Sequence, residues 1–193
     1  MLNFPLLISK WNLKEGSMSE WKIDSDHSVA AFTVRHFMIT LVHGQFNKIS
    51  GSIQFDPATP TLCTVAIEIE SASVHTGIPK RDEHLRSPDF LEVDKYPLIR
   101  FKSTRIEPVA LNRYILSGDL TIRGITRSVA LDVEYLGQAK SPFDEDISIG
   151  FSASARINRQ DFGVSWSFNM ENGGLVAGNE VYLNLEVEAD LVK

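Results

Sequence analysis

Residues 73–87 read SVHTGIPKRDEHLRS and place Arg81, Asp82, His84 and Arg86 within six positions. Two guanidinium groups, a carboxylate and an imidazole this close could serve acid–base catalysis, hold a metal, or form a polar gate. The spacing speaks against the first two. Asp82 and His84 are two apart and do not share a helix face, whereas Asp82 and Arg86 stand at the i,i+4 spacing that does. His27, His36, His43, His75 and His84 are scattered along the chain, without an H-E-x-x-H pair. Cys63 is the single cysteine, so a thiolate metal centre is excluded. There is no G-x-S-x-G elbow and no glycine-rich phosphate loop between a strand and a helix. No catalytic residue and no metal ligand is assigned. The cluster reads first as a clasp that pins a short helix, and second as a gate at a pocket mouth.

The elements around the cluster have a period of two. Cys63, Val65, Ile67 and Ile69 share one face of a run whose other face carries Thr64, Ala66, Glu68 and Glu70. The same alternation holds for Val129 to Tyr135 and for Val181 to Leu191, and further runs fall at 28–36, 44–56, 98–107, 113–122 and 147–157. About eight antiparallel strands follow, each with one dry and one wet face. A sandwich and a closed up-and-down barrel both fit. The apolar phase slips between Phe46 and Ile49, which points to a β-bulge at Asn47-Lys48 and favours a closed barrel. Gly51 and Gly118 fall on dry faces, where glycine marks a bend or leaves room for a ligand. Between Ser71 and Leu98 the alternation stops. Pro79 suits a first helical turn and Pro88 ends it, so a short helical insertion over about 76–92 is expected to pack on the barrel.

The chain of 193 residues is expected to form one folded domain over residues 18–193. Residues 1–17 read as an extension, either disordered or upstream of a true start at Met18. They lack the basic start and cleavage site of a signal peptide. The net charge of −6, with cations dispersed, argues against a nucleic-acid surface and against an electrostatic grip on anionic membranes. Cys63 is expected to be a buried structural thiol, and His36, in phase with Phe32 and Val34, is expected to point inward.

Residues 73–104, SVHTGIPKRDEHLRSPDFLEVDKYPLIRFKST, resemble the signature of the YceI-like polyisoprenoid-binding family. Matching segments occur in order at 21–28, 44–57, 118–126, 151–166 and towards the C-terminus, so the resemblance spans about 20–192. It implies an all-β, lipocalin-like antiparallel barrel that holds a polyisoprenoid, isoprenoid quinone or fatty amide, without metal or cofactor and without catalysis. The inner wall of such a barrel is expected to include Phe32, Val34, Phe46, Val65, Ile67, Ile69 and Phe101. Leu116, Leu120, Val133, Phe151, Leu183 and Leu185 complete it. His36, Arg81, Asp82 and His84 are placed near the ligand's head group. The alternative is an enzyme on an apolar substrate with His36 as acid–base group. A lipid ligand, no nucleic acid, no stable membrane insertion and a homodimer are expected. The expected location is the cytoplasm, with the periplasm as the alternative.

Overall fold

The computed structural model describes residues 18–143, 145–168 and 176–192. The expectations for residues 1–17 lie outside these. The runs of alternating residues become β1 (Ser19–Ile23), β2 (Val29–His36), β3 (Thr40–Phe46), β4 (Ile49–Phe55), β5 (Thr64–Glu70) and β6 (Val74–His75). After the helix α1 (Pro79–Arg86) come β7 (Leu98–Ala110), β8 (Arg113–Ile122), β9 (Ile125–Lys140), β10 (Ile147–Asn158) and β11 (Ala177–Leu191). All pairings are antiparallel. The order β1-β4-β5-β7-β8-β9-β10-β11 returns to β1, closing an eight-stranded up-and-down barrel. Closure leaves no long edge strand unpaired.

Three of the eight barrel strands are interrupted at one height. β1 gives way to β2 at residues 24–28, β3 to β4 at Asn47-Lys48, and β5 to β6 at Ser71–Ser73. The breaks face each other: Asn47 N donates to Ser73 O at 3.3 Å and Lys48 N to Ser73 Oγ at 3.2 Å, and the β1–β2 break falls between the pairs Lys22–Ser52 and Ala30–Phe46. The expected bulge at Asn47-Lys48 is therefore one part of a seam that bends three strands together. It lets Phe46 and Ile49 both face inward although their numbers differ in parity.

The helix is shorter than the 76–92 insertion in which it sits. Pro79 occupies its first turn, and Ser87 closes it by donating its N–H and hydroxyl to His84 O at 3.1 and 2.8 Å. Turns carry the chain from there to β7. Trp21, Ile49, Val74, Ile149, Phe162 and Ala189 are almost fully buried. Trp21 Nε1 donates to Phe55 O at 3.2 Å. No helix among the described residues is long and apolar enough to cross a membrane.

Candidate ligand-binding cavity

The barrel encloses a cavity of about 430 Å³, a size typical of small-molecule sites. Every apolar position expected on the wall faces it. Phe32 and Val34 come from β2, Phe46 from β3, and Val65, Ile67 and Ile69 from β5. Phe101 comes from β7, Leu116 and Leu120 from β8, Val133 from β9, Phe151 from β10, and Leu183 and Leu185 from β11. Their packing differs. Ile69, Phe101, Leu116, Leu120 and Phe151 are buried, whereas Phe32, Val34, Phe46, Val65, Ile67, Val133, Leu183 and Leu185 keep accessible surface although they point inward. That surface belongs to the hollow.

Of the two readings of Gly51 and Gly118, a bend or room for a ligand, the second does not hold. A Cβ at Gly118 would overlap the ring of Phe101, and one at Gly51 would overlap the carbonyl of Ala66. Both positions are filled by the neighbouring strand. The space comes instead from Ala153 and Ala155 of β10, which face the cavity where other strands carry Leu, Val or Phe. Ala153 lies opposite Val133 on one side and Leu185 on the other, and Ala155 opposite Leu183. Their signal was present in the alternation Phe151, Ala153, Ala155, Ile157.

One end of the cavity is shut by aromatic rings. Phe55 lies 4.9 Å from Tyr135, 5.1 Å from Phe151 and 6.5 Å from Tyr114, centroid to centroid. Burial pushes the phenols of Tyr114 and Tyr135 above their ordinary pKa. Cys63 lines this end, buried, with its thiol likewise raised by burial.

The other end is built by α1 and the segments around it. Arg81, His84 and Leu85 of α1 line the cavity, with Phe90 and Trp166 beside them. The His84 ring stands edge-on to Phe90 and to Trp166, each at 5.0 Å, while its Nε2 meets Asp89 Oδ2 at 2.8 Å. Arg81 donates from Nε to Thr76 Oγ1 at 2.7 Å and from Nη2 to Thr76 O at 2.8 Å. Asp82 shares Thr76 with Arg81 but does not line the cavity. It is buried, accepts from the Thr76 N–H at 2.8 Å and from the Thr76 hydroxyl, and meets His75 Nδ1 at 3.1 Å. Its placement near a head group is corrected: both carboxylate oxygens serve the strand-to-helix turn. Arg86 bonds Ala72 O at 2.8 Å and Val74 O at 2.7 Å, so it ties α1 to β6.

Arg159 was not singled out in the sequence. It is 5% exposed and lines the same end. Its donors go to Gly178 O (2.9 Å), Val164 O (2.5 Å), Trp166 O (2.9 Å), Ala177 O (3.0 Å) and Asn179 Oδ1 (3.3 Å). Burial lowers its pKa, yet an arginine stays charged at neutral pH. It gathers the segment after β10 and the start of β11 over the barrel.

His36 faces the cavity, half-buried, its ring 3.9 Å from that of Phe37. Among the described residues, the lining contains Arg35, His36, Arg81, His84 and Arg159 and no Asp or Glu. An acid–base role for His36 thus finds no carboxylate partner among the described residues of the cavity wall. Among the described residues, Asp24, His27 and Glu188 bring three ligand-type atoms within 4.8 Å of one another. They lie at the β1–β2 break and do not line the cavity. There His27 Nδ1 and Asp24 Oδ2 pair at 2.6 Å. Their shared hydrogen bond lowers the pKa of Asp24 and raises that of His27.

A closed eight-stranded antiparallel barrel, hollow and apolar within, defines a binding barrel of the lipocalin-like kind. Residues 21–189 match the YceI-like domain. A UPF0312 protein of Photorhabdus laumondii is 34% identical over 153 residues, 78% of this chain and 79% of that protein. The crystal structure of a Campylobacter jejuni YceI protein superimposes with a TM-score of 0.69 at 33% identity, covering 82% of this chain and 90% of the other. A polyisoprenoid-binding domain from Saccharophagus degradans shares the fold, with a TM-score of 0.64 at 16% identity over 91% of this chain and all of its own. The chain belongs to the YceI-like family.

Proposed function

We propose that this protein binds, and carries or sequesters, a long-chain apolar amphiphile inside its barrel without acting on it chemically. A polyisoprenoid, an isoprenoid quinone or a fatty amide fits. The observation that carries the reading is the cavity itself: about 430 Å³, walled by aliphatic and aromatic side chains from around the barrel. The Saccharophagus degradans domain, described as polyisoprenoid-binding, supports the same ligand class. Burying a five-carbon isoprene unit contributes roughly 3–4 kcal/mol gross, at about 0.8 per methylene. Ordering the chain and desolvating its head subtract from this.

Among the described residues, the charged and imidazole groups of the lining sit at one end and are all basic. Arg81 Nη1 has no hydrogen-bond partner among the described residues, and the His36 ring makes no hydrogen bond to them, only its contact with Phe37. A head group with acceptor oxygens, such as a quinone carbonyl or an amide carbonyl, suits that end. A free ammonium does not.

The test is native mass spectrometry of detergent-free protein from its own host, with titration of the emptied protein by a decyl-substituted benzoquinone. A bound amphiphile, and quenching of Trp166 beside the cavity, are expected. Protein that emerges empty and whose tryptophan fluorescence ignores quinone, isoprenoid alcohol and fatty amide alike would sink the proposal.

A further inference from the structure

The turn between β2 and β3 carries Phe37, Met38 and Ile39, which are 41%, 49% and 81% exposed. Ile39 N donates to His36 O at 3.1 Å, closing a tight turn whose two central residues, Phe37 and Met38, have φ of 50° and 63°. Left-handed φ at both central positions is what Asn-Gly adopts readily and a Phe-Met pair does not. The turn is thus built from residues that suit neither its backbone nor water.

The apolar tip continues sideways. Phe37 N donates to Val176 O at 3.0 Å and Val176 N to Phe168 O at 3.2 Å. Phe168 is 67% exposed, and its ring lies 6.0 Å from that of Trp166. His36, Val176 and Trp166 all line the cavity, so the exposed residues border its rim. Arg35, exposed, also lines the cavity, which shows that the hollow reaches the surface here. The far end is different. Val109, Leu111 and Phe143 are 58%, 90% and 94% exposed there, but the rings of Phe55, Tyr114, Tyr135 and Phe151 close the barrel beneath them.

We infer that Phe37, Met38, Ile39 and Phe168 form a docking tip that enters the interfacial region of a lipid bilayer and sets the cavity mouth against it. The inference rests on the carrier reading above, because the proposed cargo resides in bilayers. A second copy of the chain is the weaker occupant. The four side chains expose on the order of 350–600 Å², below the ~800 Å² per partner of a stable protein interface. Apolar tips of aromatic and aliphatic residues are the kind that settle at the headgroup boundary. With a net charge of −6, attachment depends on apolar insertion rather than on attraction to anionic lipid.

The test is flotation of the full chain with cargo-free phosphatidylcholine vesicles, comparing wild type with the double variant M38G/I39S. Glycine suits the φ of Met38, so the variant is expected to unfold at no lower temperature. His36 and Phe37 are left in place, so decyl-benzoquinone affinity in vesicle-free solution is expected to stay within about twofold of wild type, less than 0.5 kcal/mol. Wild type is expected to float, and the variant to partition at least about tenfold more weakly. L111N, at the opposite end, is expected to float like wild type, and added salt to change nothing. Flotation needs no cargo, so it succeeds or fails independently of the carrier reading. Wild type that does not float, M38G/I39S that floats equally, an equal loss with L111N, or release by salt overturns the inference. So does a wild-type dimer that M38G/I39S dissociates, which would assign the tip to a second copy.

Discussion

Asp82 shows what a charged residue in a conspicuous cluster can be for. Burial alone would raise its pKa. Hydrogen bonds from the Thr76 hydroxyl and N–H, together with the charge and ring nitrogen of His75, outweigh burial and hold the carboxyl below its ordinary value. A carboxyl whose folded-state pKa is depressed stabilises the fold above the unfolded value of about 3.9. That contribution disappears as pH falls through the lower folded value. Asp82→Asn is therefore expected to cost about 2 kcal/mol at pH 7, with the gap from wild type narrowing below about pH 4. Urea unfolding of both proteins at pH 7 and pH 3 checks this, and a gap that persists undiminished at pH 3 would assign the loss to geometry instead of charge. The clasp was legible because Asp82 and Arg86 carry helical spacing beside Pro79. Arg159 was not legible as an organiser. Four of its five acceptors are backbone carbonyls, from Val164 to Gly178, and a carbonyl leaves no trace in residue type.

At the scale of elements, the long strands were readable because each buries one face, and a face repeats every second residue. The barrel strands from β7 to β11 lie where the alternation put them. β1 was harder: Ser19–Ile23 offers only Trp21 and Ile23 to the core, too few for a period to declare itself. The three-strand seam was half legible. A phase slip locates a break in one strand, but the alignment of breaks in neighbours depends on register, which no single strand encodes. Gly51 stands just beyond the seam on β4, opposite Ile67 of β5. Its φ is 152°, and a Cβ there would run into the Ala66 carbonyl. Gly51→Ala is expected to destabilise by about 2–4 kcal/mol, combining backbone strain with overpacking. Thermal and urea unfolding measure it. Stability within 0.5 kcal/mol of wild type, the usual range for a surface change, would mean that the two strands part without cost and that the close approach is not required.

At the scale of the whole molecule, alternation says which side chains face inward but not whether they meet. A barrel of eight strands has an interior that side chains can fill or that can hold one small ligand, and the same inward pattern suits both. What decides is summed volume against barrel girth, and girth follows from stagger and tilt rather than from any one strand. Here the decision falls to β10, where Ala153 and Ala155 are the small residues between Val133 and the leucines of β11. Restoring bulk there separates the fold from its proposed use. In A153L/A155L the added methyl groups enter existing space, gaining packing contacts instead of displacing neighbours. Stability is expected to hold or rise. The decyl-substituted benzoquinone, deprived of the middle of the cavity, is expected to bind at least about tenfold more weakly, since 1.4 kcal/mol is less than two buried methylenes contribute. Calorimetric unfolding and tryptophan-quenching titration of the same protein read the two effects independently. If the variant binds as tightly as wild type, the ligand does not occupy the barrel's middle and the cavity is not its site. If it instead loses the ~1–3 kcal/mol typical of an overpacked core, the interior of the free protein is already closed, and the hollow over Ala153 and Ala155 is not standing space.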